Sequence, residues 1–181
     1  FLDAIERANP TPAAGRIEAT NPCRELPLLA NESCNLGSLR LDAFVRGEAL
    51  RAPQPAWQGA LDWERLDEAV DLAVRFLDDV IEVSRFPFPE IARATRRNRK
   101  IGLGVMGWAD MLFRLGVPYE SEQALALGRT LMRFIRDEGW KASQDLAQKV
   151  KQRRRTTLTK TVPLQRVVSI GEAKVYLPDT P

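Results

Sequence analysis

Trp63, Leu66, Val70, Ala73, Phe76, Leu77, Val80 and Ile81 return at three- and four-residue intervals behind Asp62, a residue suited to cap a helix. That spacing predicts about five turns of helix with one apolar side. A second stripe, Leu127, Leu131, Phe134, Ile135, Ala142 and Leu146, begins after Ser121, another capping residue. Two long amphipathic helices commit the chain to a layered, predominantly helical arrangement. The shorter elements are punctuated by proline and glycine. A helix end over residues 1–8 is broken by Asn9-Pro10-Thr11-Pro12, and residues 17–39, rich in Pro and Asn, read as extended segments and a loop. Residues 47–61 read as a surface connection. Pro87 and Pro89 close one element and open another, with Pro89 suited to a first helical position. A helix over about 105–115 is expected to stop at Gly116, with Pro118 beyond it.

At 181 residues one domain with a real core is expected. Two separated cysteines make no disulfide scaffold and point to a reducing, cytoplasmic setting. No apolar run approaches a membrane span, and the first residues, Phe1-Leu2-Asp3-Ala4-Ile5-Glu6-Arg7, do not read as a signal peptide. They also lack a starting methionine, so the chain is expected to open inside a longer reading frame. The basic balance is local. Residues 149–181 hold eight Lys or Arg against Glu172 and Asp179, a net of +6 in a chain of +3, which leaves −3 for residues 1–148. The stretch has no aromatic interleaving, so it reads as a solvated, poorly ordered basic tail rather than a nucleic-acid surface.

The chemistry concentrates in Asn21-Pro22-Cys23-Arg24-Glu25, followed by Cys34 in Glu32-Ser33-Cys34-Asn35-Leu36-Gly37-Ser38. If the first segment is extended, Asn21, Cys23 and Glu25 share a face. A buried cysteine usually acts as a small hydrophobe, but a core strand does not place an amide and a carboxylate beside it. The spacing of the cysteines is wrong for zinc, and with no histidine in the chain a Cys–His pair is excluded. Gly102-Leu103-Gly104-Val105-Met106-Gly107 fits the dinucleotide spacing G-x-G-x-x-G. Thr95-Arg96-Arg97-Asn98-Arg99-Lys100 before it is no buried strand, so the glycines read as close packing at a helix start and the basic run as a solvated turn.

The two cysteine segments resemble the active-site loop of ribonucleotide reductase catalytic subunits. The wording is most similar to the adenosylcobalamin-dependent class II type, Asn-Pro-Cys-Gly-Glu-Gln-Pro-Leu and then Glu-Ser-Cys-Asn-Leu-Gly-Ser. The likeness extends to Arg16–Thr20, Ala73–Ile81 and Asn98–Gly107, and covers roughly residues 1–148. The resemblance implies a fragment of the family's α/β barrel: residues 1–148 as a partial catalytic domain, then a divergent basic tail, 149–181. It implies that Cys23 becomes the thiyl radical that takes the ribose 3′ hydrogen. Glu25 is then the general base at the 3′ hydroxyl, and Asn21 holds the ribose hydroxyls. Cys34 is one of two redox-active thiols, its partner lying upstream of residue 1. The implied cofactor is adenosylcobalamin, and no metal ligand is expected in this chain. The implied partners are a ribonucleoside di- or triphosphate, a thioredoxin-like reductant and further copies in a homo-oligomer, with neither membrane nor nucleic acid.

Three departures bear on activity. Arg24 stands where the family has Gly, Leu26 where it has Gln, and Asn31 where it has an aromatic residue. Two other readings stay open: a class I large subunit served by a separate radical-generating subunit, and a degenerate fragment without catalysis.

Overall fold

Asp62 starts the helix around which the fold is built. The computed structural model describes residues 2–7, 9, 12–23, 26–47, 57–157, 166–170 and 173–177. Asp62 Oδ1 accepts from the Arg65 backbone N–H at 3.2 Å and from the Arg46 guanidinium at 3.0 Å. Helix α3 (Trp63–Val83) follows, after α1 (Leu2–Arg7) and the short α2 (Trp57–Ala60). It buries Leu66, Val70, Val74, Leu77 and Ile81. Phe76 is 63% exposed. The buried row steps 66, 70, 74, 77, 81, so the expected stripe missed the buried Val74 and included Phe76, which falls just off the row. Ser121 caps the long α6 (Glu122–Thr157), its Oγ accepting from Ala124 N–H at 3.1 Å. Leu127, Leu131, Ile135, Ala142 and Leu146 of α6 are buried, and Phe134 meets Trp63 edge-on with ring centroids 5.0 Å apart.

The two long helices accompany a small sheet. Strands β3 (Asn35–Arg40) and β4 (Ile101–Met106) are parallel and paired along their whole length, Asn35 opposite Ile101 and Arg40 opposite Met106. Parallel neighbours need a long crossover. Here it runs through a 3-10 turn (Leu41–Phe44), α2, α3 and α4 (Pro89–Asn98). Pro89 opens α4 after Phe88, as its fixed φ favours. Strand β5 (Arg166–Ile170) pairs parallel with β4, and β6 (Ala173–Leu177) antiparallel with β5. The architecture is α/β and mostly helical, and the described strands do not close a barrel. Apart from this sheet, β1 (Ala19–Thr20) and β2 (Pro27–Leu28) form an antiparallel hairpin. No described helix is long and apolar enough to cross a membrane.

Several expectations from the sequence change. Residues 101–106, expected to lead into a helix start, are a strand, and the helix α5 (Trp108–Leu115) begins only after Gly107. Glycines at 102 and 104 hid the strand pattern, because glycine is depleted in strands. The first two glycines lie inside the strand rather than after it, which is not the dinucleotide-binding arrangement. Asn98, Arg99 and Lys100, read as part of a solvated turn, are 6%, 6% and 2% exposed. Their side chains are paired with carboxylates that lie far away in sequence. The connection 47–61 ends in a helical turn and the buried Leu61, held by a bridge to Val45, while residues 48–56 lie outside the described residues. In the stretch set apart as a basic tail, α6 continues to Thr157 and β5 and β6 follow.

The Asp62 carboxyl is held below the usual carboxylate range, first by the Arg46 hydrogen bond and then by the Arg65 N–H. A depressed carboxylate stabilises the fold above its unfolded pKa of about 3.9 and stops doing so as pH falls through the lower folded value. Asp62→Ala will therefore lower Tm by a constant amount above about pH 5, and the difference from the parent will shrink in more acidic buffer. Gly107 sits at φ 71°, and a Cβ there would lie 2.9 Å from Asp42 Oδ1. Gly107→Ala is expected to cost about 1–2 kcal/mol in urea denaturation. Gly104→Ala, where a Cβ meets Ser38 Oγ at 3.5 Å, will be milder.

Candidate active site

Asn21 follows β1, and Leu26 precedes β2. Asn21 N–H donates to Leu26 O at 3.2 Å, and Leu26 N–H donates to Asn21 Oδ1 at 3.0 Å. These two bonds close the mouth of a hairpin loop, and Pro22 and Cys23 form a turn within it. Pro22 and Cys23 are thus in a turn rather than an extended strand, so Asn21 and Cys23 are not related by the alternation of a strand. The physical reason is that antiparallel pairing of Thr20 with Pro27 forces the chain to reverse between them. Cys23 is exposed at this tip. Arg24 and Glu25 lie outside the described residues.

Cys34 immediately precedes β3 and is half-buried, its Sγ 3.4 Å from the Asn35 carbonyl oxygen. Neighbours on both sides are anchored. Ser33 Oγ and Thr95 Oγ1 of α4 are hydrogen-bonded at 2.8 Å, and Asn35 Nδ2 donates to the Leu77 carbonyl of α3 at 3.2 Å. The thiol lies over Gly102, where a Cβ would come within 3.7 Å of Sγ and 2.5 Å of a Leu36 methyl. Leu36, Ser38 and Arg40 are exposed on β3 and alternate with half-buried Gly37 and Leu39. By the same alternation Cys34 belongs with the open face of the sheet. Gly102 gives that face the clearance it has beside the thiol.

The segment between the cysteines is fixed by a buried ion pair. Glu32 Oε2 meets Lys100 Nζ in a short contact, with side chains 1% and 2% exposed. The same oxygen accepts from Leu29 N–H at 2.7 Å, and Oε1 accepts from Asn98 Nδ2 at 2.5 Å. Lys100 Nζ also donates to the Pro27 carbonyl oxygen of β2 at 3.2 Å. Asn98 Oδ1 is buried without a hydrogen-bond partner among the described residues. Turning the amide over would set that oxygen against the Glu32 carboxylate, which fixes its orientation. Next to this cluster, Arg99 adopts left-handed backbone at φ 48° and binds Asp78 at 2.8 Å and Glu82. Burial would lower the Arg99 guanidinium, but Asp78 and then Glu82 outweigh it and hold it above its ordinary value.

Sequence reasoning did not find Glu32, Asn98 or Lys100 as a unit. The available signal was the apolar residues Ile101, Leu103 and Val105: read as a strand, they put Lys100 at the mouth of a sheet, where a lysine needs a partner.

The family model described as "Ribonucleotide reductase, barrel domain" matches residues 1–161. The chain belongs to the ribonucleotide reductase barrel-domain family. The vitamin B12-dependent ribonucleoside-diphosphate reductase of Mycobacterium tuberculosis (strain CDC 1551 / Oshkosh) is 55% identical over 148 residues, 82% of this chain and 20% of that protein. The reductase of the same name from Thermoplasma acidophilum is 51% identical over 148 residues, 82% of this chain and 18% of that protein. The class Id ribonucleotide reductase alpha subunit of Actinobacillus ureae is similar in structure, with TM-score 0.55 and 29% identity over 74% of this chain and 24% of that one. The chain thus spans about a fifth of the length of these two curated relatives.

Breaking the buried pair from one side leaves an uncompensated buried charge. Lys100→Met is expected to cost about 3–5 kcal/mol in urea denaturation, against a near-zero effect for exposed Lys141→Met.

Proposed function

We propose that this chain is the cysteine-bearing part of an adenosylcobalamin-dependent ribonucleotide reductase, which converts ribonucleotides to 2′-deoxyribonucleotides for DNA synthesis. The observation that carries the reading is the Asn21-Pro22-Cys23 turn. An exposed thiol sits at the tip of a pinned hairpin, in a chain 51–55% identical to reductases named vitamin B12-dependent.

The chain's residues suit the thiol's side of such chemistry, with Cys23 exposed and Cys34 half-buried. Adenosylcobalamin, when bound, supplies the initiating radical. Cys23, exposed on its turn, gives up a hydrogen atom to a radical brought to it and then takes one from C3′ of the sugar. The oxygen of Asn21 is committed to Leu26 N–H, so Nδ2 is the half of the amide available to a ribose hydroxyl. Glu25 acts as the base at the 3′ hydroxyl, a carboxylate being able to accept a proton there. Cys34 delivers reducing equivalents together with a second thiol contributed from outside this chain, and a thioredoxin-like dithiol restores both. The substrate is a ribonucleoside di- or triphosphate, and the full-length enzyme works in the cytoplasm as a homo-oligomer.

The two cysteines then have separable duties. In the full-length enzyme, Cys23→Ser will abolish product formation with any reductant. Cys34→Ser will lose multiple turnover while keeping single-turnover chemistry. Equal and total loss in single-turnover assays of both variants would contradict this assignment.

A further inference from the structure

Glu32 and Lys100 stand outside every step just described, yet they touch both cysteine segments. Glu32 lies two residues before Cys34, and its carboxylate holds Leu29 N–H, at the exit of the Cys23 hairpin, at 2.7 Å. Lys100 lies at the mouth of β4, next to Ile101, which pairs with Asn35. Its ammonium holds the Pro27 carbonyl oxygen of the hairpin at 3.2 Å. Pro27 is itself paired with Thr20, one residue before Asn21. The base of the Cys23 hairpin is thereby fastened to the strand mouth beside which Cys34 is fixed. Asn98 adds a third hold on Glu32 at 2.5 Å.

We infer that Glu32 and Lys100 are positioning residues: their buried pair sets where the Cys23 hairpin stands relative to Cys34 and the open face of the sheet. The inference rests on the proposed reductase function for its catalytic consequence, but the geometry carries the mechanical part alone. A pair kept only for stability would be an odd choice. A buried ion pair replaced by apolar or neutral groups of similar size is often neutral or stabilising. What replacement cannot reproduce is the directed bond from Lys100 to Pro27 O, combined with the bond from Leu29 N–H to Glu32. Hairpins of two short strands have little stability of their own, so the placement of this one depends on such outside holds.

The test uses the full-length reductase containing this segment, with the double variant Glu32→Gln and Lys100→Met. Removing both charges avoids the stranded charge that either single change leaves. Hydrogen exchange is read at the amides of Asn21 and Leu26, with amides of α3 and α6 as the internal reference. The expected result is unchanged protection in the helices and exchange at least about tenfold faster at Asn21 and Leu26. In the same protein kcat falls by about tenfold or more while the nucleotide KM stays at the parental value, because a displaced thiol slows the chemistry without removing substrate contacts. Parental exchange at the hairpin overturns the proposal, as does parental kcat with a loosened hairpin. Glu32→Asp covers the case in which the double variant does not fold. It keeps both charges and withdraws the carboxylate by one methylene, so it must show the same paired loss, and parental behaviour in both readouts overturns the idea. A parent enzyme without any turnover removes the functional reading alone, and the exchange result then still decides whether the pair holds the hairpin.

Discussion

The ion pair between Glu32 and Lys100 is the interaction on which the arrangement of the candidate site depends. It joins parts of the chain that are 68 residues apart in sequence. Through Pro27, Leu29 and Asn98 it reaches the hairpin, the segment before β3 and the end of α4. Two charges taken out of water repay their desolvation only with good geometry and with their remaining hydrogen-bonding capacity filled. Here the Glu32 carboxylate accepts from a lysine, an amide side chain and a backbone N–H, and Lys100 donates to a carboxylate and a carbonyl. The polar cluster fixes one arrangement, where an apolar contact would tolerate several.

The neighbouring Arg99 works by the same logic one layer out. Its backbone pays the strain of a left-handed conformation, which most side chains avoid. That strain is offset by contacts to Asp78 and Glu82 near the C-terminal end of α3 and to the Asp78 carbonyl at 3.1 Å. The consecutive residues Asn98, Arg99 and Lys100 thus lock α4 and the start of β4 to the Cys34 segment on one side and to α3 on the other. The anchored surroundings of Cys34 and the exposed position of Cys23 suit the proposed division of labour.

Beyond that frame the sheet contributes by omission. The absence of side chains at Gly102 and Gly104 leaves the face beside Cys34, Leu36 and Ser38 uncluttered. Only the third glycine of the run, Gly107, is demanded by backbone conformation. A spacing that could be taken for a phosphate-binding loop is therefore two residues of clearance and one of turning.

Periodicity and capping alone determined the long elements. Asp62 and Ser121 mark the starts of α3 and α6, Pro89 that of α4 and Gly116 the end of α5, because caps and breakers act through bonds to their own neighbours. The cysteine motifs were equally legible, since residue identity carries the chemistry they can perform. What the sequence left open was decided by contacts between distant segments. The strand over 101–106 forms because β3 lies beside it, against the weak propensity of its glycines. Pro22 and Cys23 turn because Thr20 pairs with Pro27, so the alternation of an extended strand does not apply there. Phe76 fell outside the core because the surface covered by the sheet and α6 is narrower than an apolar pattern suggests. Lys100 and Arg99 looked like solvated charges because a sequence shows a charge but not its partner. Glu32 and Asp78 are 68 and 21 residues away, and only the folded chain brings them within a hydrogen bond.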